Sequence, residues 1–304
     1  MRKLLVGWSA LLVALLACAP QDQPTIGGGQ ATETASPGAT AAQCAERNRD
    51  AFEAPGALTI GTGNPAFPPW FEGGTGPGSE FELNDPANGE GYESAVAYAV
   101  AEEMGFTPPQ VVWVPVGFNK SFAPGPKPFD FVLQQISYTP ERAQAVDFSE
   151  SYYDVSQAVV ATEDSPIAGA TTVAELKDAT LGAPIGTTSL AVINEVVQPT
   201  AEPAVYDDLA GAIQDLKAGT IDGVVVDLPS AFYITAVQLP KGVIVGQFPR
   251  TGGEQEYFAM AFEKGSPLVE CVNLALRALK EDGTLERIEQ EWLADKADAP
   301  VLQA

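Results

Sequence analysis

The chain has 304 residues, enough for one or two domains with proper cores, and carries 16 Lys and Arg against 40 Asp and Glu for a formal net charge of -24. That charge repels phosphate backbones, which argues against nucleic-acid binding, and it suits a solvated secreted surface. Histidine is absent, which removes the usual general base, the Ser–His and Cys–His nucleophilic pairs and most zinc sites, so no metal or cofactor is expected.

Residues 1–18 read as a signal peptide rather than part of the fold. Arg2 and Lys3 form a short positive region, Leu4 to Leu16 an apolar run, and Ala17 is small enough for a cut site. The apolar run is too short to span a membrane comfortably. Leu15-Leu16-Ala17-Cys18 is similar to a bacterial lipobox, in which Cys18 is lipidated and becomes the mature N-terminus; a plain secretory signal cut nearby is the alternative. The next stretch is rich in Gly, Thr, Ala, Pro and Ser without a hydrophobic period, and 19–50 is taken as a flexible tether. Two cysteines remain, Cys44 and Cys271. Outside the cytoplasm an even pair usually means a disulfide, here pinning the start of the folded part to a late helix; two unrelated buried thiols are the alternative.

From Leu58 onward strand and helix signals alternate, which argues for an α/β class. Leu58–Thr62 reads as a strand and is followed by a stiff turn, Asn64-Pro65-Ala66-Phe67-Pro68-Pro69-Trp70. The Gly-rich segment from Glu72 to Gly91 reads as a loop, with a contribution to a lid as the alternative. Glu93 to Met104 has Val96, Val100 and Met104 on one face and Gly105 as a stop, so it reads as a helix. Val111–Val114 and Phe129–Leu133 are the next strands. Thr139 then stands as an N-cap with Pro140 at the first helical position and Glu141 in the first turn, a helix-start pattern that presents free N–H groups to an anion. Arg142 adds a planar fork of donors that matches a carboxylate; pairing with Glu141 or Asp147 is the ordinary surface alternative. A strand from Ser156 to Ala161 leads away. Leu181–Ile185 is a strand that runs into Gly186-Thr187-Thr188-Ser189, whose N–H groups and hydroxyls open a helix through Val197. Asp207–Ala218 is amphipathic, with Leu209, Ile213 and Leu216 spaced for one face. Gly223–Asp227 is an apolar strand ending on a carboxylate, at the edge where open α/β sheets place ligands. From Phe258 come a strand and two helices, Pro267–Glu281 and Thr284–Leu293, joined at Gly283.

One string stands out: Ser137-Tyr138-Thr139-Pro140-Glu141-Arg142, with Val146-Asp147-Phe148-Ser149 and Tyr152-Tyr153 after it. It resembles the corresponding segment of the family 3 bacterial extracellular solute-binding proteins, the amino-acid receptors of ABC importers. Phe262-Glu263-Lys264-Gly265-Ser266-Pro267, then Leu279-Lys280-Glu281-Asp282-Gly283-Thr284-Leu285, then Trp292, are similar to the end of that family. The resemblance extends over almost the whole chain after residue 57. It implies a type II periplasmic-binding-protein-like fold, two α/β lobes joined by two crossing strands with a ligand cleft between them. The lobes would take 51–155 and 254–304, the latter including a C-terminal tail, for the first and 156–253 for the second.

The same resemblance implies site roles. Arg142 and Thr188, with Thr187 beside it, would meet a ligand α-carboxylate, and Asp227 its α-ammonium from the opposite lobe. Phe67 and Phe118 would lie over the ligand side chain, with Trp70 left to the core. Two positions depart from the family. Asn64 stands where receptors for basic amino acids often carry an acid. Gln135 stands where the family often has glycine, so it either puts an amide into the pocket or displaces the backbone there. Ser137 would still offer a hydroxyl. These features suggest a polar, amide-type or uncharged ligand side chain. The function implied is a lipid-anchored, extracytoplasmic, monomeric receptor that closes on its ligand and docks on a membrane permease. No catalysis is expected. A dehydratase of the arogenate or prephenate type on the same lobes, and a sensory module that reports ligand to a receptor, are the alternatives; a compatible solute could replace the amino acid.

Overall fold

The structure is a computed structural model that describes residues 38–249, 255–293 and 299–304. The signal segment, Cys18 with its proposed lipid and the first part of the tether lie outside the described residues.

Two five-stranded sheets organise the rest. The first contains β1 (Leu58–Thr62), β2 (Val111–Pro115), β3 (Phe131–Val132), β4 (Val146–Asp154) and β10 (Tyr257–Glu263), in the order β2-β1-β3-β10-β4. The second contains β5 (Gln157–Thr162), β6 (Leu181–Pro184), β7 (Ala204–Tyr206), β8 (Gly223–Asp227) and β9 (Gly242–Gln247), in the order β7-β6-β8-β5-β9. The chain crosses from β4 to β5 and returns from β9 to β10. In the first sheet β1, β2 and β3 pair in parallel and β10 pairs antiparallel with both β3 and β4; in the second β6, β7 and β8 pair in parallel and β5 pairs antiparallel with both β8 and β9. Apolar clusters cover both sheets, so the inner strands read as continuous Val, Ile and Leu rather than as an alternation.

Local chemistry explains the elements. Helix α2 (Tyr92–Glu103) starts at Gly91, where φ is 96° and a Cβ would lie 2.5 Å from the Phe71 Cα and 2.6 Å from the Trp70 carbonyl oxygen. Only glycine lets this helix press against the turn before it. Helix α5 (Leu209–Ala218) begins where Asp208 accepts from the Gly211 N–H at 2.9 Å and ends at left-handed Gly219, and it buries Ala212, Ile213 and Leu216. Helix α7 (Leu268–Glu281) buries an unbroken stripe from Leu268 to Leu279 against the first sheet, with α8 (Thr284–Leu293) after it. Each fully buried aliphatic side chain in such a stripe contributes about 1.5–3 kcal/mol.

Several expectations are modified. Part of the stretch read as tether folds: α1 (Ala41–Arg47) starts with a capping box between Thr40 and Gln43, and Cys44 on it is bonded to Cys271 of α7. The helix-start pattern at Thr139 yields one 3-10 turn, Arg142–Gln144, because β4 begins at Val146; its cap bond is nonetheless made, Arg142 N–H to Thr139 Oγ1 at 3.2 Å. The expected strand over 129–133 shrinks to β3, although its flanks still bond to β1, Asp130 N–H to the Thr59 carbonyl at 2.8 Å and Leu133 N–H to the Gly61 carbonyl at 3.1 Å; the Asp130 carboxylate also accepts from the Thr59 and Glu53 N–H groups at 2.6 and 2.7 Å. The C-terminal tail returns to the second sheet. Val301 pairs with Gln247 of β9, Gln303 with Thr172, and Leu302 enters that sheet's core. The segment 72–91 is a loop with one 3-10 turn, in keeping with its glycine content.

Candidate functional site

The C-terminal ends of β1, β2 and β3 face those of β6 and β8 across a cleft of about 400 Å³, the edge at which α/β sheets place ligands. Eight of the nine predicted ligand residues line it: Asn64, Phe67, Phe118, Gln135, Arg142, Thr187, Thr188 and Asp227. Ser137, only 1% exposed, lies behind the wall, where Phe258 pairs with its backbone and its hydroxyl donates to Glu256 at 2.6 Å.

Arg142 is 8% exposed. Its Nη1 donates to the Ser137 carbonyl at 2.6 Å and its Nη2 to the Gly186 carbonyl of the second wall at 2.7 Å. The guanidinium also lies over the Phe122 ring and over the Phe118 ring at the start of α3 (Phe118–Ser121), 4.4 and 5.4 Å from their centroids. Burial lowers its pKa to about 10, and Glu256 opposes that shift. The group is therefore a cation at neutral pH, fixed in direction by two carbonyls and two rings.

The second wall is built at helix starts. Gly186 has φ of 80°, and a Cβ there would collide with Asn119 Oδ1 of the first wall, so glycine permits the approach. Thr187 caps α4 (Thr188–Val192), accepting from Leu190 N–H at 3.2 Å while its hydroxyl donates to the Pro184 carbonyl at 2.8 Å. Thr188 Oγ1 lies 3.3 Å from the Ser137 hydroxyl. Gln157 and Glu256, which no local sequence pattern marks, join the walls: Gln157 Nε2 donates to the Glu256 carboxylate at 3.2 Å and its Oε1 accepts from Ser189 at 2.7 Å.

Asp227 closes the same wall. It caps α6 (Leu228–Tyr233), accepting from the Ser230 N–H at 3.0 Å. Burial pushes its pKa up to about 6; hydrogen bonds from the Ser230 backbone and hydroxyl pull it back, and Glu256 adds to the rise. Beneath the first wall lies Glu93, fully buried, which accepts from the backbone N–H of Gln135 at 2.7 Å and from the Gln135 amide and the Tyr152 hydroxyl. Burial lifts Glu93 to about 7, against the pull of those donors. This acceptor holds Gln135 at a left-handed φ of 51°. The departure at Gln135 therefore turns the amide nitrogen toward Glu93.

Asn64 differs from its expected use. It stands at the cleft, but its amide is spent on the loop 72–91, donating to the Glu80 carbonyl at 3.1 Å and accepting from the Glu82 N–H at 2.8 Å. Asp207 and Asp208, also unanticipated, line the cleft at the start of α5. Their only sequence signal was the cap pattern, which does not report what the cap faces.

The chain matches the family model described as bacterial extracellular solute-binding proteins, family 3, over residues 73–295. It is 26% identical over 220 residues to the arginine-binding extracellular protein ArtP of Bacillus subtilis (strain 168), covering 70% of this chain and 81% of that protein. Among solved structures it resembles an ancestral arginine-binding protein bound to arginine, with TM-score 0.62, 29% identity and coverage of 78% of this chain and 98% of that one. An ancestral arginine-binding protein bound to glutamine gives TM-score 0.62 and 28% identity, with coverage of 78% and 97%.

Proposed function

The chain belongs to the bacterial extracellular solute-binding proteins, family 3, and from that membership we propose that it captures a polar α-amino acid in this cleft and delivers it unchanged to the permease of an ABC importer. The observation that carries this reading is the opposition of one buried cation and one half-buried acid across a single cleft, Arg142 on the first wall and Asp227 on the second. A free amino acid presents a carboxylate and an ammonium a few ångströms apart, and each lobe holds the group for one of them. Such a ligand lowers the free energy of the closed arrangement more than the open one, which is how it drives a hinge.

Thr187 and Thr188 supply further donors to the carboxylate, and Phe67 and Phe118 cover the side chain. Arginine and glutamine, bound by the relatives, are the first candidates. Cys18 carries the lipid that holds the protein, as a monomer, at the outer face of the cell membrane. The test is a thermal-shift screen of the mature protein against all common amino acids. A binder raises the melting temperature by an amount that grows with its concentration. Arg142→Ala and Asp227→Ala each abolish the shift. A screen in which no amino acid moves the wild type refutes the reading, and a full response in either variant refutes the site.

A further inference from the structure

We propose that Trp70 and Ser230 form a latch between the two lobes that orients the Asp227 carboxylate, which makes Trp70 a positioning residue for the ligand's ammonium; this rests on the assignment of Asp227 to that group. Trp70 stands in the turn after β1 and is 1% exposed. Tyr92, Tyr153 and Phe258 meet its ring edge-on, with centroids 5.9, 5.7 and 5.6 Å away. Those contacts alone are what a core tryptophan needs. The indole N–H goes further: it donates to Ser230 Oγ at 3.1 Å, and Ser230 belongs to α6 beside the second sheet.

The chemistry of the two groups gives the contact a direction. An indole N–H can only donate, whereas a serine hydroxyl accepts with its lone pairs and keeps one proton to give. The Ser230 N–H donates to the Asp227 carboxylate at 3.0 Å, and the Ser230 hydroxyl beside it also lowers that carboxylate's pKa. Trp70 thus fixes the rotamer of Ser230, and Ser230 fixes which lone pairs of Asp227 remain for the cleft. The relay exists only while the lobes are together. If α6 swings away, the N–H is left among aromatic rings without this acceptor, so the bond favours the arrangement in which Asp227 faces the guest.

The test measures affinity by calorimetry for L-arginine and L-glutamine, each paired with its des-amino analogue, 5-guanidinopentanoate and glutaramate. Ser230→Ala and Trp70→Phe weaken the α-amino acids about 3- to 10-fold, the effect of one hydrogen bond to a polar network. Each weakens the des-amino analogues clearly less than the α-amino acids, because those lack the group that Asp227 meets and lose only the bond between the lobes. The double variant is no weaker than the weaker single, since both break one relay, and Ser230→Thr restores binding. Equal weakening of both ligand types, or losses that add in the double variant, overturns the proposal. The Trp70 Nε1–H resonance, read both without ligand and at saturation, moves in Ser230→Ala in at least the saturated state and returns in Ser230→Thr. An unmoved resonance overturns the latch whatever the ligand. A moved resonance in a wild-type protein that binds neither amino acid overturns instead the reading of the ligand, and the ammonium role with it.

Discussion

Asp227 sits where two demands conflict. Burial disfavours its charge, while an ammonium guest needs that charge, and the balance leaves its pKa at about 6. Ligand binding draws the group toward its ionised form, so the bound state has the lower pKa. Affinity is therefore fully present above about pH 6 and falls as pH drops through that value, by up to about tenfold per pH unit. Calorimetric titrations between pH 8 and pH 5 check this, and Asp227→Asn both weakens binding and flattens the profile. A wild-type profile that stays level across the range contradicts the role given to Asp227. Arg142 adds no slope there, because its lowered pKa of about 10 lies well above the window. Both residues were legible in the chain, Asp227 as a carboxylate ending an apolar strand and Arg142 inside a distinctive string. Their long-range surroundings were not legible. Gln157 meets Glu256 99 residues away, and the backbone of Gly186 meets Arg142 44 residues away, distances at which no local pattern carries information.

At the scale of elements, α1 shows how a covalent tie converts a weak segment into structure. Seven residues are too few for a helix to persist alone in water, yet Ala41–Arg47 is capped, packs on α7 and is bonded to it through Cys44 and Cys271. The bridge closes a span of 227 residues. Replacing both cysteines by alanine lowers the unfolding free energy by about 2–4 kcal/mol, read from denaturant midpoints, and leaves ligand affinity unchanged, because neither cysteine lines the cleft. A variant that keeps full stability overturns this account of α1. The helix-start pattern at Thr139 marks the limit of local reading in the other direction. Thr, Pro and Glu in that order start a turn, but its length depends on the residues downstream, and here Val146 enters a strand against β10. Likewise the 129–133 stretch has strand propensity, but only Phe131 and Val132 pair as a strand, while the Asp130 carboxylate holds the Thr59 and Glu53 N–H groups beside it.

The molecule as a whole stores protons that its unfolded chain would release. Glu93 is lifted to about 7, Asp130 and Asp227 to about 6, in each case chiefly by burial. Their ordinary values are 4.5, 3.8 and 3.8. Between the ordinary and the raised values the folded state binds more protons than the unfolded one, so stability falls as pH rises from about 4 to about 7 and is greater at pH 5 than at pH 7.5. The net charge of -24 acts in the same sense, since protonating carboxylates relieves self-repulsion. Urea midpoints across that window check the slope, and Asp130→Asn makes it shallower. A midpoint that rises steadily from pH 5 to pH 7.5 rules the account out.

The amino-acid order by itself determined the α/β class, most of the strands and helices and the family, because periodicity, caps and the Ser137–Arg142 string are local and survive without a fold. It also placed the cation and the acid that face the cleft. Only the tertiary structure decided what those groups touch: the buried Glu93 that bends Gln135, the loop that occupies the Asn64 amide, the tail that returns to β9, and the indole that reaches Ser230. Each of these is a contact between segments distant in sequence. Such contacts are chosen by packing and by the need to satisfy buried polar groups, neither of which exists until the chain has folded.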